Sequence, residues 1–250
     1  MNEIIDKIYR YIEQNNMLTD CERVVVGLSG GADSVCLLMV LKGYIERKHL
    51  QTELCAVHVN HGIRQEAGDD EEFARVLCER MGVEFMAYHI DAAGLAKQLG
   101  ISVEEAGRKE RYRIFNEACK ECNARIAVAH HMNDQAETVL MNLSRGTSLK
   151  GIGGIRPVRD NIIRPLLSVT RAEVEEVLKG FNQPYVIDAT NLCNDYTRNS
   201  LRNVVIPYMT DNINSHTVEN IASAASELQQ DFDFIESEAD KAYNKYVTEG

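Results

Sequence analysis

Apolar positions in this chain follow two alternating rhythms. Arg23 to Ser29, Leu54 to Asn60, Glu84 to Ile90 and Arg125 to His130 are short β-branched or apolar runs, and Asn161 to Leu167 is a weaker fifth. The early runs are nearly continuous in apolar residues, as strands buried on both faces are. Helical patterns lie between them. Two open with capping-box signals, Ser102 with Glu105 and Thr170 with Glu173. Strand alternating with helix predicts an α/β fold with an open, mainly parallel five-stranded sheet, helices on both faces and right-handed crossovers. After about residue 210 the rhythm changes. Ile221, Ala225, Leu228, Phe232, Ile235, Ala239, Ala242 and Tyr246 step by threes and fours, one apolar stripe on a long helix. The expected organisation is therefore one domain over 1–210 and a helical extension over 211–250. The stripe suits packing on its own domain, with a homodimer as the alternative. The pattern still runs where the sequence stops, so further C-terminal domains are expected.

Composition narrows the partners. No apolar run reaches the ~18–20 residues of a membrane helix. The N-terminus lacks a basic segment followed by an apolar one, so no secretory signal is read there. Seven cysteines, scattered through apolar segments, suit a reducing cytosol better than a disulfide framework. A cytoplasmic location is expected. Cys119 and Cys122 form the one close pair and read as ordinary helix-end cysteines. The net charge of −11 counts against a polyanionic partner until it is located along the chain. Residues 211–250 carry −7, while 144–171 carry +5, from Arg145, Lys150, Arg156, Arg159, Arg164 and Arg171 against Asp160. The acidity is thus expected to sit on the final helix, away from a ligand site.

In parallel sheets, ligands gather outside the carboxyl ends of the strands. That is where polar residues concentrate here. Ser29-Gly30-Gly31-Ala32-Asp33-Ser34 follows the first strand and opens a helix. Two glycines let the backbone approach a ligand closely, and free N–H groups at a helix start hold anions. The lysine of G-x-x-x-x-G-K-[ST] is absent, and the spacing is not G-x-G-x-x-G. The alternative is a tight strand-to-helix turn with Asp33 as its cap.

The loop resembles the S-G-G-x-D-S signature of the ATP pyrophosphatases (the PP-loop superfamily). Later segments resemble one branch, the tRNA(Ile)-lysidine synthetases. His58-Val59-Asn60-His61-Gly62-Ile63-Arg64 is similar to their H-x-[DN]-H-G-[LI]-R. Glu104 to Tyr112 is similar to E-x-A-A-R-x-x-R-Y, and His130 to Glu137, continuing through Thr138 to Arg145-Gly146, to H-H-x-D-D-Q-A-E-T…R-G. Arg164-Pro165-Leu166-Leu167 is similar to R-P-L-L. Asp188 to Asn191, then Tyr196 to Arg202, resemble D-x-[ST]-N…Y-x-R-N-x-[IL]-R. The motifs keep the family's order from about residue 20 to 208. Two positions depart: Asn133 replaces an aspartate and Gly107 an alanine.

The resemblance implies a Rossmann-like fold of the adenine nucleotide alpha hydrolase type, with 1–210 as the catalytic domain. It implies a cytoplasmic ligase that joins free L-lysine to C2 of the wobble cytidine of tRNA(Ile) with a CAU anticodon. The cytidine is first adenylated by ATP, and AMP and pyrophosphate are released. ATP falls to Ser29, Gly30, Gly31, Ala32, Asp33, Ser34, His61 and Arg64. Asp33 is also a candidate Mg²⁺ ligand and catalytic group. Asp134 and Glu137, three apart on one helix face, are the candidate lysine and catalytic carboxylates. Arg108, Arg111, Tyr112, Arg145, Lys150, Arg198 and Arg202 are the candidate tRNA contacts. Two alternatives stay open: another PP-loop tRNA enzyme such as a thiolase, and a nucleotide-binding module without chemistry. For His58, a satisfied buried histidine competes with a ligand role.

Overall fold

The structure, a computed structural model, describes residues 1–60, 67–120, 122–186 and 196–246. The strands are β1 (Arg23–Gly27), β2 (Glu53–Asn60), β3 (Glu84–His89), β4 (Ala124–Ala127), β5 (Val158–Arg159) and β6 (Ile162–Ile163). The helices are α1 (Asn2–Gln14), α2 (Ala32–Arg47), α3 (Ala67–Met81), α4 (Ala92–Leu99), α5 (Val103–Ala118), α6 (Met132–Arg145), α7 (Leu149–Ile152), α8 (Arg171–Gly180), α9 (Tyr196–Ser200), α10 (Ile206–Asn212) and α11 (Thr217–Tyr246). The chain divides into two compact units. One is Met1–His131 with Pro157–Ala189; the other is Met132–Arg156 with Thr190–Gly250.

The first unit holds the sheet, in the order β3-β2-β1-β4-β6-β5. Every pairing is parallel except β5 with β6. The α/β class is as the sequence predicts, but among the described residues the strands number six. The expected fifth strand over 161–167 shrinks to Ile162–Ile163. Asp160, at φ 55°, makes the turn of a tight hairpin before it, and Pro165 starts a 3-10 turn (Pro165–Ser168) after it. Along β1 the valines alternate between two cores. Val24 and Val26 join α1, α2, α3 and α8 on one face, through Ile8, Leu37, Leu77 and Val177. Val25 faces Ile114 and Phe115 of α5 on the other. Both predicted N-caps form, one of them as a complete box. Ser102 accepts from the Glu105 N–H, and Thr170 and Glu173 make a complete capping box.

The second unit is helical. Ala136 of α6, Ile206 of α10 and Val218 of α11 share a small buried core. Between α9 and α10 the helix widens into a π turn, Leu201–Val205. Among the described residues, no helix is long and apolar enough to cross a membrane.

Candidate functional site

The sheet order places β1 between β2 and β4. The chain walks outward from β1 through β2 and β3, then returns to the other side of β1. That reversal marks the crevice where α/β sheets take ligands. The segment after β1 is the phosphate loop, and the segment after β4 ends in His130 and His131.

The loop is held by its own hydroxyls. Ser34 Oγ donates to the Gly31 carbonyl at 2.9 Å and accepts from the Ser29 N–H at 3.2 Å. The two serine hydroxyls lie 3.1 Å apart. Gly30 needs its missing side chain. Its φ is 87°, and a Cβ would come within 3.3 Å of Val186 Cγ2. The Val186 N–H donates to the Gly30 carbonyl at 2.9 Å. Gly31 is the N-cap of α2, with ordinary extended angles. Ala32 and Ser34 are buried in the first turn of α2.

Asp33 faces a guanidinium and an imidazole. Arg171 Nη1 donates to Asp33 Oδ2 at 2.5 Å, and His131 Nε2 lies 3.8 Å from Asp33 Oδ1. Arg171, read from sequence only as part of a basic stretch, thus belongs to the phosphate loop. The loop's missing lysine raises the need for a cation from elsewhere, but nothing in the sequence names this residue. Beside them, buried Arg164 donates from Nε to His130 Nδ1 at 3.1 Å. Burial lowers the Arg164 guanidinium from its ordinary value, with Tyr112 acting the other way. His58 is the satisfied core histidine: it is buried, and Nδ1 donates to the Leu28 carbonyl at 2.9 Å. His61, Arg64 and the Asp188 to Asn191 motif lie outside the described residues.

In the second unit, the predicted carboxylates and two predicted RNA cations meet. Arg198 donates to Glu137 at 2.6 Å and to Asp134 at 2.9 Å. Arg202, on the π turn, donates to Glu137 at 2.6 Å and to Asp134 at 3.3 Å. Glu137 is only 1 % exposed. Two carboxylates and two guanidiniums balance in charge, which compensates the buried carboxylates while the guanidiniums reach solvent. Gln135, between the carboxylates, turns the other way and ties α6 to Gly153 and Ile155.

The remaining candidate RNA contacts scatter. Arg108 sits over the Tyr112 ring at 5.9 Å, on the surface of α5, in a shallow groove also lined by Lys109 and Asn116. Arg111 and Arg145 are exposed. Lys150 lies over the Phe232 ring and 3.9 Å from Glu236. Arg156 makes a two-pronged pair with Asp233 at 2.6 and 2.8 Å. Asp233 and Glu236 of α11 pair with the 144–171 stretch, so part of its +5 is already neutralised. Cys119 is buried, and burial pushes its thiol up to about 11. A thiolate that carries sulfur or iron needs the opposite shift.

A crossover sheet, a built glycine-serine loop at its switch point and no loop lysine define a PP-loop domain. The family described as "PP-loop domain" matches residues 2–209, and the chain belongs to it. Among the curated relatives it resembles are tRNA(Ile)-lysidine synthases. That of Clostridioides difficile (strain 630) is 44 % identical over 245 residues, 97 % of this chain and 53 % of the relative. That of Caldanaerobacter subterraneus subsp. tengcongensis is 42 % identical over 244 residues, 97 % and 52 %. The chain spans about half the length of the curated relatives it matches. Among solved structures, the U34-tRNA thiolase NcsA from Methanococcus maripaludis with its 4Fe-4S cluster superposes at a TM-score of 0.73 and 22 % identity. The match covers 91 % of this chain and 79 % of that one. At that identity the likeness carries the fold alone.

Proposed function

We propose that this chain is the PP-loop part of a tRNA(Ile)-lysidine synthase. The observation that carries the reading is the ligand-ready phosphate loop, in a chain that matches relatives of that name over 97 % of its length. ATP use follows from the family. The backbone N–H groups at the start of α2 and the Ser29 and Ser34 hydroxyls would hold its phosphates. The C2 oxygen of the wobble cytidine attacks the α-phosphorus. The bond to the bridging oxygen breaks, and pyrophosphate leaves with the electron pair. The ε-amine of lysine then attacks C2, the C–O bond to AMP breaks, and the amine loses its proton.

Asp134 and Glu137 would receive the lysine ammonium, which competes with Arg198 and Arg202 for them. Once the ammonium has lost a proton to one of these carboxylates, the freed amine is the nucleophile. The Asp33 carboxylate suits Mg²⁺, which binds through one or two carboxylates and substrate phosphates and would neutralise the leaving pyrophosphate. Arg171 already occupies that carboxylate, so metal and guanidinium compete for it. Arg108, Arg111, Tyr112 and Arg145 remain surface candidates for the tRNA backbone.

The test is pyrophosphate release by the protein with ATP, lysine and tRNA(Ile) carrying CAU, against tRNA(Met). Over repeated turnovers release should need both the isoleucine tRNA and lysine, because only lysine discharges the adenylated cytidine, and Asp134→Asn should weaken lysine use while sparing ATP binding. Release indifferent to lysine and to tRNA identity would refute the assignment. No release with any acceptor would leave a nucleotide-binding module.

A further inference from the structure

A triphosphate is a strong polyanion, yet residues 29–34 carry one charged side chain, and Asp33 is negative. Helix-start N–H groups offer partial charges only. The nucleotide-binding loops that work on such substrates add a full cation, and this one has none of its own. The structure brings one from elsewhere in the chain. Arg171 is the first residue of α8, and its Nη1 is 2.5 Å from Asp33 Oδ2. Its Nε donates to Glu175 Oε1 at 2.8 Å.

The root of this side chain is fixed. Val174, Val177 and Leu178 of α8 are fully buried, in one core with Leu37, Leu38 and Leu41 of α2. The capping box at Thr170 sets the first turn, and Lys7 of α1 pairs with Glu173 from outside at 2.9 Å. The outer part of Arg171 is 39 % exposed at the loop. Its partner there is the carboxylate that a divalent cation would claim. His131 stays on the other oxygen side of Asp33.

Resting on the ATP reading above, we propose that Arg171 is the cation of the phosphate loop. With nucleotide bound, its guanidinium leaves Asp33 for the β- and γ-phosphates and neutralises the departing pyrophosphate. Without nucleotide it holds Asp33, which keeps a bare carboxylate from repelling the incoming anion. An arginine suits the task because its planar fork meets two phosphate oxygens at once.

Calorimetric titration with ATP and with AMP, in EDTA and then with Mg²⁺, tests this. AMP lacks the β- and γ-phosphates and serves as the internal control. Arg171→Gln should weaken ATP binding about tenfold or more and leave AMP unchanged. Arg171→Lys should recover part of the loss. Asp33→Asn in EDTA should bind ATP at least as tightly as the parent protein, because its arginine is already released. Thermal melts establish that each variant is folded. Unchanged ATP affinity in Arg171→Gln overturns the proposal, as does an equal loss for ATP and AMP. So does an Asp33→Asn variant that copies the Arg171→Gln loss, since the pair then only shapes the loop. If the parent protein binds no ATP, the ATP reading falls and this one with it. A failure confined to the Arg171 variants removes only the arginine's role.

Discussion

Gly30 and Gly31 stand side by side in the phosphate loop, but only one uses a glycine's freedom. Gly30 lies at φ 87° with Val186 Cγ2, Phe73 Cδ1 and the Asp70 carbonyl crowding the place of a Cβ. Gly31 sits at φ −71° and ψ 161°, and a Cβ there would meet only Ser29 Oγ at 3.6 Å. Gly30→Ala should therefore cost about 1–3 kcal/mol from left-handed strain and crowding. Gly31→Ala should cost less, about 1 kcal/mol, mostly the weaker N-cap. Urea denaturation of the two variants decides it, and equal losses would show that strain at Gly30 is not the cause. The glycine types were legible in the sequence; the division of labour was not, because a residue name does not carry its dihedral angle. The same holds for His58, whose role was set by the Leu28 carbonyl thirty positions away.

Elements with local signals were legible, and elements that depend on distant partners were not. The cap at Thr170 and Glu173 forms as its spacing predicts, because both partners lie within one turn. The β6 strand is far shorter than its apolar run, because Pro165 and the Asp160 turn end it from both sides. Asp134 with Glu137 on α6, and Arg198 with Arg202 four apart, each read as one-face pairs from spacing. Their meeting could not be read, since about sixty residues separate them and the shared core of Ala136, Ile206 and Val218 brings them together. This cluster should behave as a unit. Glu137 is buried and Arg198 is partly exposed. A double-mutant cycle of Glu137→Gln with Arg198→Ala should show a coupling of about 1–3 kcal/mol in unfolding free energy. Additive losses, within about 0.3–0.5 kcal/mol, would mean that the guanidinium contributes nothing to the buried carboxylate.

Across the whole molecule, charge and burial set the pH range in which the fold holds. On the acid side, the Arg156 guanidinium hydrogen-bonds Asp233 and holds its carboxyl below the usual range. Lys150 and Arg156 are engaged by α11, so the −11 of the chain is not a separate acidic tail. It partly neutralises the basic stretch that the composition left open for RNA. On the alkaline side the buried cysteines contribute, alongside Tyr11, whose phenol burial pushes up to about 12. Burial pushes the Cys36 and Cys78 thiols up to about 12 and Cys119 up to about 11. The unfolded chain releases those protons near the ordinary thiol value of about 8.5. The folded state therefore binds more protons than the unfolded state between the two values. The stability linked to these thiols is complete below about pH 8.5 and is lost as pH rises toward their folded values. Each thiol can add a slope of at most about 1.4 kcal/mol per pH unit in that window. Urea unfolding from pH 8 to 10.5 should show a midpoint that falls steadily. Cys78→Ala should start less stable from its lost packing, yet fall less steeply with pH. An identical slope in parent and variant would show that the buried thiol takes no part in the alkaline loss.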